Sequence, residues 1–275
     1  MKKRILSILL LCCMVLTMLP TTVLAADGPM DTIPKYDVSI DVYNRTSDIS
    51  IKDSRSYYIY SSVPDKLRDT WAWDKKIFIK GDKTAPHVFI DGVNIEMSPS
   101  SKGPAIELNK KASAYIYFIG KNSSLQGADG RAAIQKNRSE GQLYVLARTG
   151  TTVTCKGGDK AAGIGGSWAT RNIAESLFNL DMYGHGANMH FGSQTNPSLW
   201  SGTIIAKGGD GGAGIGGGRN GSGEKLYFYS GKIEAKGGEA ASGIGGSFKG
   251  RGRDIYIYGG DISAKGGDGG AGIGG

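Results

Sequence analysis

Apolar and polar side chains alternate in short runs along most of the chain, and glycines stand between the runs. In residues 226–229 apolar side chains alternate with tyrosines, and in residues 231–235 they alternate with charged side chains. A third run, residues 242–246, has Ile244 as its only large side chain. Period-two alternation is typical of strands with one buried face. The pattern therefore predicts three short strands, with glycines that permit tight corners between them.

The same three runs recur at a fixed interval. The motif Gly-Ile-Gly-Gly occurs four times, and the steps between its isoleucines are 51, 29 and 29 residues. Weaker copies place Ile134 30 residues before Ile164, and Ile106 28 residues before Ile134. A long period without helical spacing indicates a repeat solenoid. We therefore predict an all-β fold, a parallel β-helix with coils of about 29 residues stacked about 4.8 Å apart.

Stacked coils predict columns of equivalent side chains on both faces of each strand. Each isoleucine or leucine buried in an inward column contributes roughly 1.5–3 kcal/mol. The predicted inward columns are Ile134, Ile164, Ile215, Ile244 and Ile273; Val153, Ile204, Ile233 and Ile262; and Val145, Met182, Phe228 and Ile257. The predicted outward columns are Tyr117, Tyr144, Asp181, Tyr227 and Tyr256, and beside them Tyr183, Tyr229 and Tyr258.

The predicted coils occupy only part of the chain. Residues 1–26 have the basic start, apolar core and small-residue end of a bacterial signal peptide, which predicts export and no membrane span after cleavage. Residues 27–84 are expected to form an N-terminal cap and irregular early coils, and residues 85–275 the regular coils. Because Gly275 lies inside a repeat, we expect the repeats to continue in a longer protein.

One step of the repeat is longer than the others. The step of 51 residues exceeds the period of 29 by 22 residues, which predicts an insertion. We place an inserted loop near residues 184–200, which contain two of the three histidines and Trp200. Insertions leave a solenoid as loops on one face, often the face that binds a partner.

Charge and cysteine content narrow the range of partners. The formal net charge is +8, and removal of the three cations in residues 1–26 lowers it to +5, too small a bias to indicate a nucleic-acid partner. Cys155 is the one cysteine left after cleavage, so we expect no internal disulfide. It aligns with Ala206, Ala235 and Ala264, which indicates a small buried residue and not a nucleophile.

The repeat units also carry a family resemblance. The segment KGGDGGAGIGG, preceded by strands such as KIEAKGG and DISAKGG, resembles the glycine-rich repeats of large secreted surface proteins of anaerobic Gram-positive bacteria. The segments VFIDGVNIEM and GPAIELNKKASAYIYFIGKNSSLQG are similar to upstream coils of the same proteins, so the resemblance covers residues 85–275. It implies a right-handed β-helix and a surface, adhesive or carbohydrate-binding role, and it implies no chemistry. The insertion and the many lysines and tyrosines depart from that pattern.

The outward tyrosines and the inserted loop supply the candidate ligand-binding residues. Stacked tyrosines on a flat sheet offer ring surfaces and hydroxyls to a sugar, although cross-coil packing alone explains the same columns. The predicted ligand-binding residues are Tyr183, Tyr227, Tyr229, Tyr256, Tyr258, His185, His190 and Trp200. Since His185 and His190 lack a third ligand at zinc spacing, we expect no metal and no cofactor.

Charged residues follow the repeat as well. Lys156 and each of its equivalents precede an acid by three residues, as in Asp159. We interpret these as ion pairs that offset like-charge repulsion, with an acidic Ca²⁺ ladder or a basic strip for anionic glycans as alternatives. The calcium-binding nonapeptide does not match, because Ala213 stands where that motif needs an aspartate.

These patterns predict a secreted or cell-surface, non-catalytic module that is adhesive or binds carbohydrate. No catalytic residues are assigned, because the acids follow the repeat whereas catalytic groups break it. A structural spacer is the alternative, and a polysaccharide lyase or glycoside hydrolase is the second alternative. The expected partners are glycans or another cell-surface component, with end-to-end or edge association of the coils and no nucleic acid.

Overall fold

The computed structural model describes residues 35–98, 103–109, 111–137, 140–168 and 184–275. Residues Pro34–Gly275 form one compact unit, and its described part consists of strands and corners with a single 3-10 turn at Asp65–Leu67. The predicted signal peptide lies outside the described residues, as do Asp181, Met182 and Tyr183.

Most strands are short, with two to six residues each. They are β1 (Val38–Asp41), β2 (Ile49–Ile51), β3 (Ser56–Tyr60), β4 (Ile77–Ile79), β5 (His87–Asp91), β6 (Asn94–Glu96), β7 (Ile106–Leu108), β8 (Ala114–Ile119), β9 (Ser123–Gln126), β10 (Ile134–Gln135), β11 (Leu143–Ala147), β12 (Thr152–Lys156), β13 (Ile164–Gly165), β14 (Gly186–Phe191), β15 (Thr203–Lys207), β16 (Ile215–Gly216), β17 (Gly223–Phe228), β18 (Lys232–Lys236), β19 (Ile244–Gly245), β20 (Gly252–Ile257), β21 (Asp261–Lys265) and β22 (Ile273–Gly274).

Three parallel sheets enclose one core. Sheet A has the order β1-β3-β5-β8-β11-β14-β17-β20, sheet B the order β2-β4-β7-β10-β13-β16-β19-β22, and sheet C the order β6-β9-β12-β15-β18-β21. From β5 onward the chain visits sheets A, C and B in turn, and each strand pairs in parallel with its copies in the adjacent coils. The chain is therefore a parallel β-helix with roughly 29 residues per turn, which confirms the predicted fold class.

Two of the predicted core columns are confirmed by the strand register. In sheet B, Ile134 pairs with Ile164, Ile164 pairs with Ile215, and the column continues through Ile244 to Ile273. In sheet C, Val153 pairs with Ile204, and that column continues through sheet C to β21. Alternation thus identifies the buried face correctly wherever strand and corner lengths follow the 29-residue rule.

The third column differs from the prediction at one coil. Phe191, and not Met182, lies between Val145 and Phe228 in sheet A. The reason is a glycine requirement at the start of the strand. Gly186 pairs with Gly223, and a Cβ at Gly186 would overlap the Gly216 carbonyl oxygen. The register that places Met182 in the column puts Leu177 at that position, where a side chain does not fit.

This register corrects the position of the insertion. Residues 186–191 form β14, so the prediction of one continuous loop over residues 184–200 is wrong. The extra residues lie on both sides of β14. Twenty residues (166–185) separate β13 from β14, against six (217–222) between β16 and β17. Eleven (192–202) separate β14 from β15, against three (229–231) between β17 and β18.

The early coils already belong to the solenoid. Strands β1 to β4 lie in sheets A and B, whereas sheet C begins at β6. Between β3 and β4, residues 61–76 stand where the later coils have a sheet C strand, and Trp73 makes only an isolated parallel bridge to Ile95. The predicted irregularity of this region is thus a missing strand, replaced by a loop.

Candidate functional site

The outer face of sheet A carries a stack of aromatic rings, which we call the aromatic ladder. Its members occupy equivalent positions on successive strands because the strands pair in register. Adjacent ring centroids are 4.3–5.2 Å apart, and adjacent planes lie within 16° of parallel. The ladder consists of His87, Tyr115, Tyr144, His190, Tyr227 and Tyr256.

A second, interrupted aromatic row runs beside the ladder. Phe89 stacks on Tyr117 at 4.5 Å, and farther along Tyr229 stacks on Tyr258 at 5.4 Å. Leu146 interrupts the row, because it is the residue that pairs with Tyr117. The prediction that Tyr117 shares a column with Tyr144 is therefore wrong. A shift of two residues keeps every side chain on the same face, so alternation alone does not distinguish Tyr115 from Tyr117.

Four of the predicted ligand-binding residues come together at one end of this face. Tyr227 stacks on Tyr256 at 5.2 Å, and Tyr256 lies 6.2 Å from Tyr258. Tyr258 is 63% exposed and Tyr256 42%, whereas Tyr227 and Tyr229 are half-buried. Tyr256 and Tyr258 are therefore the exposed rings of this group, while Tyr227 and Tyr229 are half-buried like Tyr144.

The two predicted histidines lie in different places. His190 belongs to β14 and to the ladder, not to a loop, and its Nδ1 lies 3.2 Å from the Tyr229 hydroxyl. His185 lies at the preceding corner, where its Nδ1 accepts a hydrogen bond from the Ser222 backbone N–H at 3.1 Å. His185 thus has a structural partner away from the tyrosines, while His190 supports Tyr229 directly.

A direct ligand contact would require Trp200 to lie on the surface, but it does not. Its side chain is fully buried, and its ring packs against Tyr117 at 5.0 Å. Its carbonyl accepts a hydrogen bond from the Ser230 hydroxyl at 2.7 Å. Trp200 is therefore the anchor of the 192–202 loop against sheet A.

The anchored loop forms one wall of a cavity at the junction of sheets A and C. This space, which we call the loop cavity, is a shallow depression open to solvent with a volume of about 690 Å³. The Thr149 backbone N–H donates to the Leu199 carbonyl at 3.0 Å, which fixes the loop on its other side. Polar groups and one ring converge on this space, whose lining includes Ser198, Ser201, Tyr229, Lys232 and Asp261.

Burial keeps the ionisable members of the aromatic face uncharged near neutral pH. It raises the pKa of Tyr144 and of Tyr229 to about 12, so both phenols retain their protons. Burial also lowers the pKa of His190 to about 4, which leaves a neutral imidazole. The rings of this face are thus neutral, and their hydroxyls can donate hydrogen bonds.

The other sequence-derived candidates have structural explanations. Cys155 is fully buried, and burial raises the pKa of its thiol well above the usual range, as expected for a packed residue beside Ala206. Lys156 pairs in register with Lys207, but neither forms an ion pair within the described ranges, and Asp159 pairs with Lys160 instead at 2.6 Å. The expectation that each of these lysines pairs with an acid on its own or the next coil is therefore wrong for Lys156 and Lys207 among the described residues.

Comparison with protein-family models, with curated protein sequences and with solved structures finds no match to this chain. In the described ranges, no group of three or more His, Cys, Asp or Glu side chains is placed to hold a metal ion. No helix in the same part of the chain is long and apolar enough to cross a bilayer. The functional argument therefore rests on the geometry of the aromatic face and the grooves beside it.

Proposed function

We propose that the chain is exported and acts as a non-catalytic, adhesive module that binds glycans on the outer face of sheet A. The observation that carries the proposal is the position of Tyr229, which lines the loop cavity while Tyr258 stacks on its ring. The same cavity is lined by Ser201, Lys232 and Asp261. The Ser201 hydroxyl donates to the Ser198 carbonyl at 3.2 Å and the Lys232 ammonium pairs with Glu234 at 2.7 Å, so a ligand would share these groups with their present partners. A ring beside convergent polar groups suits a sugar, which has apolar C–H faces and many hydroxyls.

The stacking within the ladder defines how a glycan would make contact. The face of each inner ring is covered by its neighbours, so these tyrosines present ring edges and hydroxyls outward. A sugar would therefore hydrogen-bond to the phenol groups and pack against ring edges, instead of stacking face to face as the sequence suggested. The protonated phenols supply donors, and the serine hydroxyls of the loop both donate and accept.

A structural spacer is the second candidate function, and the ring stacking favours it as well. Each ladder contact stabilises the pairing of adjacent coils whether or not a ligand binds. A lyase or hydrolase on sheet A has weaker support, since among the described residues Asp261 is the one carboxylate that lines the loop cavity, whereas glycoside hydrolysis ordinarily uses two.

A glycan array with matched variants tests the adhesive proposal. We expect the protein to bind at least one class of glycan on the array. Tyr258→Ala should weaken that binding about tenfold, because the change removes an exposed ring edge and its hydroxyl. Tyr60→Ala, which removes a half-buried tyrosine from β3 on the same sheet, is the control and should bind normally. Correctly folded protein, judged by circular dichroism, that binds no glycan would favour the spacer.

A further inference from the structure

The loop that replaces a sheet C strand, residues 61–76, stands beside the outer face of sheet C. It breaks the repeat at the edge of the sheet, next to β6, where Trp73 bridges Ile95. Departures from a repeat are the places where solenoids form ligand sites, because the regular coils present only flat faces. This region is on a different sheet from the tyrosines of the proposed adhesive face.

The loop is held rigidly against the solenoid. The buried Trp73 indole N–H donates to the Arg45 carbonyl at 2.8 Å. The Arg68 guanidinium donates to the Gly92 carbonyl at 2.9 Å, and the Asn94 amide donates back to the Arg68 carbonyl at 2.9 Å. A wall fixed by such bonds binds a ligand without first losing conformational freedom.

A groove lies between this wall and the outward side chains of β6, β9 and β12. It consists of cavities of about 700 and 720 Å³ joined by a smaller one of about 130 Å³. The small cavity shares Glu96 and Gln126 with one large cavity and Asp69 and Ser124 with the other, so the three adjoin along the strands. We call this space the sheet C groove. The two large volumes lie within the range of typical ligand sites.

Three side chains that line the groove have no hydrogen-bonding partner among the described residues. These are the Ser124 and Thr154 hydroxyls and the Gln126 amide. The nearby Asn94 amide, by contrast, donates to the Arg68 carbonyl and accepts from the Ser124 backbone N–H. The half-buried Trp71 lines the middle of the groove. Hydroxyl and amide groups that both donate and accept, next to an indole ring, match the hydroxyls and C–H faces of a sugar.

The charge of the groove differs from that of the whole chain. Four carboxylates line the groove without an ion pair in the described ranges: Asp69, Glu96, Asp129 and Asp210. Of the lining cations, Arg68 and Lys121 pair with Asp65, and Lys156 has no ion pair in those ranges. Carboxylates accept hydrogen bonds from sugar hydroxyls, and they repel a ligand that carries its own carboxylates. The chemistry thus favours an uncharged chain over a polyanionic one.

We propose that the sheet C groove binds an extended, uncharged oligosaccharide. The chain would lie along the strand direction, from the start of β9 and β12 towards Asp129, and strands of four and five residues span about 13–17 Å of that path. Trp71 would contact a sugar ring, while Gln126 and Ser124 hydrogen-bond to its hydroxyls. This site is independent of the tyrosine face on sheet A.

Isothermal titration calorimetry on the full chain tests the site with four probes of equal length: cellohexaose, xylohexaose, mannohexaose and hexagalacturonic acid. At least one neutral probe should bind, and hexagalacturonic acid should bind at least about tenfold more weakly, because the groove is negatively charged. Failure of all three neutral probes to bind, or equal binding of the acidic one, would overturn the proposal.

Variants assign any binding to the groove. Trp71→Ala should weaken binding about tenfold by removing the ring contact. Thr154→Arg fills the groove from an outward position, leaves the core intact and should abolish binding, so the test does not depend on the stability of Trp71→Ala. Lys52→Ala, at an exposed position that lines neither the groove nor the loop cavity, is the control and should leave the affinity unchanged. Binding that is lost in Tyr258→Ala but kept in both groove variants would support the sheet A site and refute this one.

Discussion

His190 occupies a ladder position between two tyrosines, Tyr144 and Tyr227. Its ring lies 4.3 Å from Tyr144 and 4.6 Å from Tyr227, and only 8% of the residue is exposed. A neutral imidazole fits this stack as well as a phenol does, whereas a charged imidazolium loses hydration that the surrounding rings do not replace. The stability of the folded protein should therefore depend on pH through the His190 imidazole.

His190 predicts an acid-sensitive fold. Its pKa is about 4 in the folded state and about 6.5 when exposed, so the unfolded chain binds the extra proton between these values. The stabilisation is complete above pH 6.5 and is lost as the pH falls towards 4, by up to about 3 kcal/mol. Urea unfolding of the native chain and of His190→Tyr across this range measures the effect.

The variant supplies the control for that experiment. A tyrosine continues the ladder and does not titrate in this window, so His190→Tyr should lose stability less steeply between pH 6.5 and 4. Parallel pH profiles for the two proteins would show that His190 is not the group responsible.

The strands were predictable from alternation, but their register was predictable only where corners keep a constant length. Ile164 and Ile215 align correctly across the long step because the Gly-Ile-Gly-Gly motif marks them. The prediction for Met182 fails because the register of β14 depends on a contact between sheets A and B. At Gly186 there is no room for a Cβ beside the Gly216 carbonyl, and alternation within one strand does not reveal this. The sheet C groove was equally hidden, since it depends on where Trp73 bridges the neighbouring coil.

The 192–202 loop keeps its shape through one buried ring. Trp200→Ala removes the contact with Tyr117 and should destabilise the protein by about 3–5 kcal/mol. Because the same loop supplies Ser198 and Ser201 to the loop cavity, glycan binding on sheet A should weaken as well. Thermal unfolding and array binding measure the two effects.

Trp168 provides the matched control for this change. It is 36% exposed and packs beneath the Lys160 ammonium at 4.7 Å, outside the 192–202 loop. Trp168→Ala should cost about 1 kcal/mol or less and leave binding intact. Equal effects of the two tryptophan changes would contradict an anchoring role for Trp200.

Stability in the solenoid as a whole comes from contacts between adjacent coils. Ile215 has a coil on each side and is fully buried, while Ile273 in the last strand has a neighbour on one side and is 45% exposed. The same isoleucine thus occupies two environments that differ mainly in the number of adjacent coils. Association through the open edges of β20, β21 and β22 stays a prediction.

The comparison of these two isoleucines predicts an uneven response to truncation. Ile215→Ala should cost about 2–5 kcal/mol, because it opens a cavity between two coils. Ile273→Ala, made in a protein of these 275 residues, should cost about 1 kcal/mol, since part of its side chain meets water there. Denaturant unfolding of both variants measures the difference, and equal losses would argue against coil-by-coil stabilisation.

The direction of the sheet hydrogen bonds has a mechanical consequence. Strands in all three sheets pair only with strands of adjacent coils, so the bonds of the ladders run along the axis of the solenoid. A load applied along that axis, as on a tether between two surfaces, pulls on one interface between coils at a time and peels it open. Each coil released contains roughly 29 residues and adds up to about 100 Å of extended chain. The molecule would therefore lengthen in equal steps and absorb work at each of them before the attachment itself is strained.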